Sequence, residues 1–173
     1  MKGTAPRGAT PEQDAANAAA LRASPKERAE NVMIVDLLRN DLSRIAQPYS
    51  VQVPVLFHTQ ALPAVWQMTS DVHASTRPGT TLVEVFAALF PCGSITGAPK
   101  VRAMQAIAQL EAGPRGIYCG AVGMVRPDPS AGPGAVRATF NVPIRTLVLQ
   151  GSLQGQRVRC GIGSGITSGA TAD

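Results

Sequence analysis

Several groups of residues in this chain have types and spacings that could do chemistry. Residues 93–100 read Gly-Ser-Ile-Thr-Gly-Ala-Pro-Lys. Glycines let backbone N–H groups converge, Ser94 and Thr96 add hydroxyls, and a helix start follows, an arrangement that suits an anion. The spacing is not G-x-x-x-x-G-K-[ST], so this is no nucleotide phosphate loop, and a plain structural turn is the alternative. Residues 161–165 alternate glycine. Gly161, Gly163 and Gly165 admit close backbone approach, either by a docked carboxylate or by a neighbouring strand. Arg145 falls in the apolar run FNVPIRTLVL. A desolvated guanidinium there needs an anion, which a substrate carboxylate or an internal Asp or Glu would supply. Glu30 falls on an otherwise apolar helix face; it is either a cap or surface charge, or a hard oxygen ligand for Mg2+. Asp36 and Arg39 stand at i,i+3 and read as a structural pair. Lys2, next to the first residue, reads by itself as a solvated lysine at a frayed end.

The elements that must position these groups follow from local pattern. Residues 1–11 are rich in Gly, Pro and Thr and read as a loop, and the Ala-rich residues 11–23 as a helix. Ser24-Pro25-Lys26-Glu27 is a helix start, with Ser as N-cap, Pro at N1 and Glu completing a capping box. Apolar residues then recur at 3–4 spacing to about Ile45, which carries Glu30 along a helix with one buried face. Val-rich alternation over residues 49–76, with Pro63 near a turn, predicts two strands. Residues 80–90 and 100–110 read as helices around the 91–100 loop. Residues 113–125 and 134–149 read as two long strands, and 156–160 as a last one. The expected class is α+β: antiparallel β-sheets with helices packed outside.

Composition narrows the function classes. The chain has 173 residues, 45% of them hydrophobic, 16% charged and 4% aromatic, with a net charge of +5. That excludes wholesale disorder and a coiled coil. No Lys/Arg run is interleaved with aromatics, so no nucleic-acid partner is expected. The first residues carry no apolar stretch of signal type, and the uncharged residues 45–70 are too rich in Pro and Gln to cross lipid; a cytoplasmic protein with no membrane partner is expected. Cys92, Cys119 and Cys160 form no C-x-x-C pair and read as reduced, buried thiols.

Six stretches, in this order, resemble the chorismate-utilising enzymes, the family of anthranilate synthase component I, aminodeoxychorismate synthase component I and the isochorismate and salicylate synthases. They are KGTAPRG (2–8), ERAENVMIVDLLRNDLSR (27–44), PCGSITGAPKVRAM (91–104), RGIYCGAVGMV (115–125), FNVPIRTL (140–147) and CGIGSGIT (160–167). The branch most resembled is that of aminodeoxychorismate synthase, which carries a lysine in its KGT motif where the anthranilate branch has a small residue. The resemblance implies that Lys2 is a covalent nucleophile, attacking chorismate at C2 with loss of the C4 hydroxyl before ammonia displaces it at C4. The product, 4-amino-4-deoxychorismate, leads to para-aminobenzoate and folate. It also implies that Glu30 binds Mg2+, that Thr96 lies in a substrate loop, that Tyr118 and Arg145 contact the enolpyruvyl carboxylate, and that Gly161, Gly163 and Gly165 cradle a substrate carboxylate. The partners implied are chorismate and a glutamine amidotransferase supplying ammonia.

Departures from the family pattern bear on these expectations. Gln67, expected among the substrate-binding residues, stands where a histidine that assists the ring chemistry is common in the family, and it can hydrogen-bond but not shuttle a proton near neutral pH. Family members carry a long half before the KGT motif and a second metal-binding glutamate after the glycine run. The chain is therefore expected to be a partial chorismate-binding catalytic domain over residues 1–173, with anthranilate, isochorismate or salicylate formation, or a silent fragment, as the alternatives to amination. Alone, it is expected to leave apolar strand edges exposed.

Overall fold

The computed structural model describes residues 1–152, 155–163 and 165. The chain divides into two compact units, Met1–Ser94 and Ile95–Asp173. In the first, Thr10 caps helix α1 (Pro11–Ala23) by accepting the Gln13 N–H, and Glu12 and Asp14 in its first turn and Arg22 in its last complement the helix dipole. Ser24 likewise accepts the Glu27 N–H and opens α2 (Pro25–Ser43). Only this half of the expected capping box forms; the Glu27 carboxylate turns toward Gly3, where an added Cβ would lie 3.0 Å from Glu27 Oε2.

The Val-rich alternation becomes the hairpin β2 (Gln52–Ala61) and β3 (Val65–His73). A strand absent from the sequence-based reading, β1 (Thr4–Pro6), lies in the stretch expected to be a loop. It pairs antiparallel with β3 in the register Thr4↔Gln67, giving the sheet order β1-β3-β2. Three residues carry no periodicity of their own; what makes them a strand is the open edge of β3. Helix α2 packs on β3, and α1 touches all three strands. Leu21, Ile34, Val35, Leu37 and Met68 are buried between helices and sheet, Met68 completely. Burying a side chain of this size stabilises by about 1.5–3 kcal/mol. The unit ends with α3 (Leu82–Leu89), opened by a full capping box between Thr81 and Glu84.

The 91–100 loop contains one helical turn, α4 (Gly93–Thr96), ahead of α5 (Lys100–Leu110). The second unit then differs from its reading. The strand expected over 113–125 is only β4 (Val122–Pro127), and the one expected over 134–149 breaks into β5 (Val136–Asn141) and β6 (Leu147–Ser152). Pro143, which cannot donate to a ladder, sits at the break. β4 pairs with β5, and β6 with β7 (Gly155–Cys160), as separate antiparallel hairpins. Their outer residues are open: Leu147 and Leu149 are each about two-thirds exposed. Of the three cysteines only Cys119 is buried, Cys160 is exposed, and none forms a disulfide. The α+β class with antiparallel sheets holds. Among the described residues no single helix is long and apolar enough to cross a membrane.

Candidate functional site

In the first unit, helix α2 carries Glu30 to the start of the chain, and Lys2 meets it there. Lys2 Nζ lies 2.8 Å from Glu30 Oε2, with side chains 35% and 15% exposed. The contact depends on how the backbone of residues 2 and 3 is fixed. Lys2 N–H donates to the Met68 carbonyl at 3.0 Å, and Met68 N–H donates back to the Gly3 carbonyl at 2.9 Å. Gly3 takes φ +103 there, wedged between Met68 and Glu27, a conformation and a space that only glycine accepts readily. Gln67 serves the same segment: its Nε2 donates to the Gly3 carbonyl at 2.6 Å, and its Oε1 accepts the Thr4 hydroxyl at 3.3 Å. An amide can make both bonds at once, one as donor and one as acceptor.

Two residues outside the expected set join this site. Asn31, next to Glu30, is 2% exposed, and its Nδ2 donates to the Lys2 carbonyl at 3.0 Å. The Ser70 hydroxyl donates to Asn31 Oδ1 at 2.6 Å. The signal for Asn31 was a polar residue on the apolar 3–4 repeat of α2, together with Ile34 and Val35. Ser70 had none beyond lying two residues from Met68 on one strand, hence on the same side of the sheet.

Just beyond, the chain is clasped. Arg7 Nε and Nη2 reach the two oxygens of Asp14 at 2.8 and 2.6 Å, and Arg7 Nη1 donates to the Leu62 carbonyl at 2.9 Å. Asp14 Oδ1 also accepts Gly8 N–H at 2.8 Å and Trp66 Nε1–H at 2.9 Å. The Arg7 hydrogen bond first, then the Gly8 amide, hold the Asp14 carboxyl well below the usual carboxylate range. This clasp ties β1 to α1 and β3.

Whether Mg2+ fits is a question about Glu30. Among the described residues no three His, Cys, Asp or Glu side chains cluster as a metal cage. Mg2+ takes one or two carboxylates and fills its shell with water and substrate oxygens, so a single half-buried carboxylate fits it.

In the second unit, the glycine run carries a tenant. A Cβ on Gly161 would fall on the Tyr118 ring, and one on Gly163 on the Tyr118 hydroxyl. The missing side chains make room for Tyr118; Gly165, also exposed, lies beyond it. Desolvation first, then the Cys119 thiol beside it, push the Tyr118 phenol up from its ordinary value. Arg145 departs from its reading. It is not on a strand in apolar surroundings but exposed, at φ +53, in the break between β5 and β6. A guanidinium open to water needs no internal counter-ion, which removes the argument from burial. Thr96 ends the single turn of α4, and Gly97 follows at φ +112. Arg115 Nη1 holds the Ile95 carbonyl at 3.0 Å while its Nη2 pairs with Glu111 Oε1 at 2.6 Å, bracing this loop against the end of α5. Pro99, the N-cap residue of α5, gives no side-chain cap hydrogen bond.

The chorismate binding enzyme family matches residues 1–173. The chain is 46% identical over 166 residues to an aminodeoxychorismate synthase of Streptomyces griseus, covering 96% of this chain and 21% of that protein. It is 50% identical over 123 residues to anthranilate synthase component 1 of Saccharomyces cerevisiae, covering 71% of this chain and 24% of that protein. The crystal structure of anthranilate synthase component I from Streptococcus pneumoniae superposes with a TM-score of 0.68 at 35% identity, over 85% of this chain and 31% of that one. The chain thus spans between a fifth and a third of the length of these relatives.

Proposed function

The chain belongs to the chorismate binding enzyme family, and from that premise we propose that it takes part in the amination of chorismate at C4. The observation that carries this reading is the 2.8 Å approach of Lys2 Nζ to Glu30 Oε2. It sets a primary amine beside the carboxylate that would hold Mg2+; a cation taken up there would displace the ammonium from its ion pair and favour the free amine that a covalent lysine route needs.

Glu30 would hold Mg2+, which would supply positive charge for a substrate carboxylate and for the departing hydroxyl. The protein's own groups do the rest. Lys2 Nζ, as the free amine, forms a bond to C2 while the C4 hydroxyl leaves with the amine's proton as water. Ammonia then bonds to C4, the C2–N bond breaks, and the Lys2 amine is regenerated. Chorismate and ammonia thereby give 4-amino-4-deoxychorismate and water. Gln67 serves by anchoring Gly3, a role that needs no proton transfer and so suits glutamine. Thr96, Tyr118, Arg145, Gly161, Gly163 and Gly165 are proposed to bind substrate on the strength of the family match. The ammonia source is proposed to be a glutamine amidotransferase, in keeping with the component names among the relatives.

The second reading is anthranilate formation, favoured by the identity to the yeast relative. The experiment is incubation with chorismate, Mg2+ and ammonia, with products separated by chromatography and Lys2 peptides weighed by mass spectrometry. Amination at C4 that disappears in Lys2→Ala supports the reading. Anthranilate as the product, amination that survives Lys2→Ala, or no reaction overturns it.

A further inference from the structure

A lysine amine on a flexible four-carbon stem is placed only as well as its backbone is tied, and in Lys2 both backbone polar groups are. The N–H goes to the Met68 carbonyl in β3 and the carbonyl to the Asn31 amide in α2. What fixes Asn31 can be followed further. Its Oδ1 accepts the Ser70 hydroxyl at 2.6 Å, and Ser70 Oγ in turn accepts the Phe57 N–H at 3.1 Å. That N–H is available because β2 shifts register between Val55 and His58, and Phe57 sits at φ +56. A bulge turns one amide out of the ladder and re-aims it. A non-glycine residue in the left-handed region is strained and persists where its surroundings over-determine it. Here they do: the Arg28 guanidinium lies 4.7 Å from the Phe57 ring centroid, one turn before Asn31 on the same helix.

We propose that Asn31 and Ser70 are positioning residues for Lys2, the last links of a hydrogen-bond chain that runs from the β2 bulge through β3 and α2 to the Lys2 carbonyl. The proposal rests on Lys2 being the nucleophile. Asn31 is suited to the task because it presents a donor and an acceptor on one planar group, so orienting its oxygen by Ser70 also aims its nitrogen at Lys2. Each member is satisfied by the next, and a buried chain of this kind fixes one geometry where a half-satisfied one would not. A misplacement of about 1 Å at a reacting atom costs roughly 100-fold in rate. The network's effect on chemistry is therefore larger than its effect on folding.

The test uses the full chain and the variants Ser70→Ala, Ser70→Thr and Asn31→Ala, each checked for folding by its thermal midpoint. Lysine amines are acetylated with a sulfo-N-hydroxysuccinimide ester, and labelling of Lys2 is expressed relative to Lys26 by peptide mass spectrometry. Loss of one hydrogen bond in the chain is expected to raise the Lys2 ratio by about 3- to 10-fold in Ser70→Ala and Asn31→Ala, as Lys2 leaves Glu30. Ser70→Thr, which keeps the hydroxyl, is expected to hold the wild-type ratio. In the amination assay the Ala variants are expected to lose roughly 10- to 100-fold in kcat with little change in KM for chorismate. A folded Ser70→Ala variant with an unchanged Lys2 ratio overturns the proposal, as does a Thr variant no better than Ala. If the wild type makes no aminated product but the ratio shifts as stated, the positioning of Lys2 stands and the amination reading falls. The reverse result, Lys2-dependent amination with unmoved ratio and kcat in the Ala variants, removes the positioning role alone.

Discussion

Gly3→Ala should detach the start of the chain without unfolding the rest. Gly3 stands at φ +103, and an alanine Cβ there would lie 3.1 Å from Met68 Cβ and 3.0 Å from Glu27 Oε2. The Glu27 carboxylate can swing aside, but Met68 is wholly buried and cannot. The backbone alone makes alanine unfavourable by about 1–3 kcal/mol in such a conformation. Against this stand four hydrogen bonds to Lys2 and Gly3, from or to Met68 twice, Asn31 and Gln67. At about 1 kcal/mol net each, opposed by about 1 kcal/mol per residue for ordering the first three residues, they hold the segment by about 1 kcal/mol. The strain therefore wins locally, and the remaining core does not depend on it. Native-state hydrogen exchange reads this directly, because Met68 N–H donates to the Gly3 carbonyl. Its protection should fall about 10-fold or more, while exchange in α2 and the thermal midpoint change little. Amination should fall with the Met68 protection. Wild-type protection at Met68 together with wild-type turnover would refute the reasoning.

Other expectations concern single groups. Glu30→Gln removes both the Lys2 counter-ion and the proposed Mg2+ oxygen, and turnover should no longer respond to Mg2+; a wild-type Mg2+ titration would count against that ligand. Asp14→Asn should destabilise the clasp in a pH-dependent way. Because the folded carboxyl is held below its ordinary 3.8, its contribution is present above that value and is lost as pH falls further. The difference in thermal midpoint between Asp14→Asn and wild type should therefore be full at pH 7 and shrink only below about pH 4; a constant difference down to pH 2 would exclude it. The chain has two tyrosines, so a Tyr49→Phe variant isolates Tyr118 for absorbance titration. Its midpoint should lie above the ordinary 10.0, since burial favours the neutral phenol, and stability should decline as pH rises past that value. A midpoint at or below it would place the ring off the glycine run. Gly161→Ala should drive Tyr118 from its seat and abolish that shift, which the same titration would show.

The helices were legible because their signals are local. Ser24, read as an N-cap, sits at the cap of a real helix, and the 3–4 apolar repeat of α2 marks its buried face. The hairpin of β2 and β3 was legible from alternation. β1 was not, since its partner lies far along the chain and three residues have no period. Arg145 was misplaced by hydropathy: FNVPIRTLVL is apolar, but Pro143 breaks the ladder and the arginine turns outward at positive φ. Lys2 by itself reads as noise, and only the family resemblance raised it; its meeting with Glu30 needed the fold. The glycine run was recognised as a place of close approach, but what approaches in this fold is Tyr118. Asn31 lies inside the ERAENVMIVDLLRNDLSR stretch, but its task was not legible there, because its amide nitrogen serves a backbone carbonyl and its oxygen the hydroxyl of Ser70 on a distant strand.

Trp66, the only tryptophan, donates its indole N–H to Asp14 while the Arg7 guanidinium lies 5.0 Å from its ring centroid. The indole is thus clamped by the same ion pair that seats β1, and release of β1 together with Arg7 would strip the cation from its face and leave Asp14 unpaired from arginine at its nitrogen. Emission colour and intensity from one fluorophore, excited without any label, then report the docking of the segment that carries Lys2. A stopped-flow trace on addition of substrate or metal would show in real time whether that segment stays seated through a catalytic cycle.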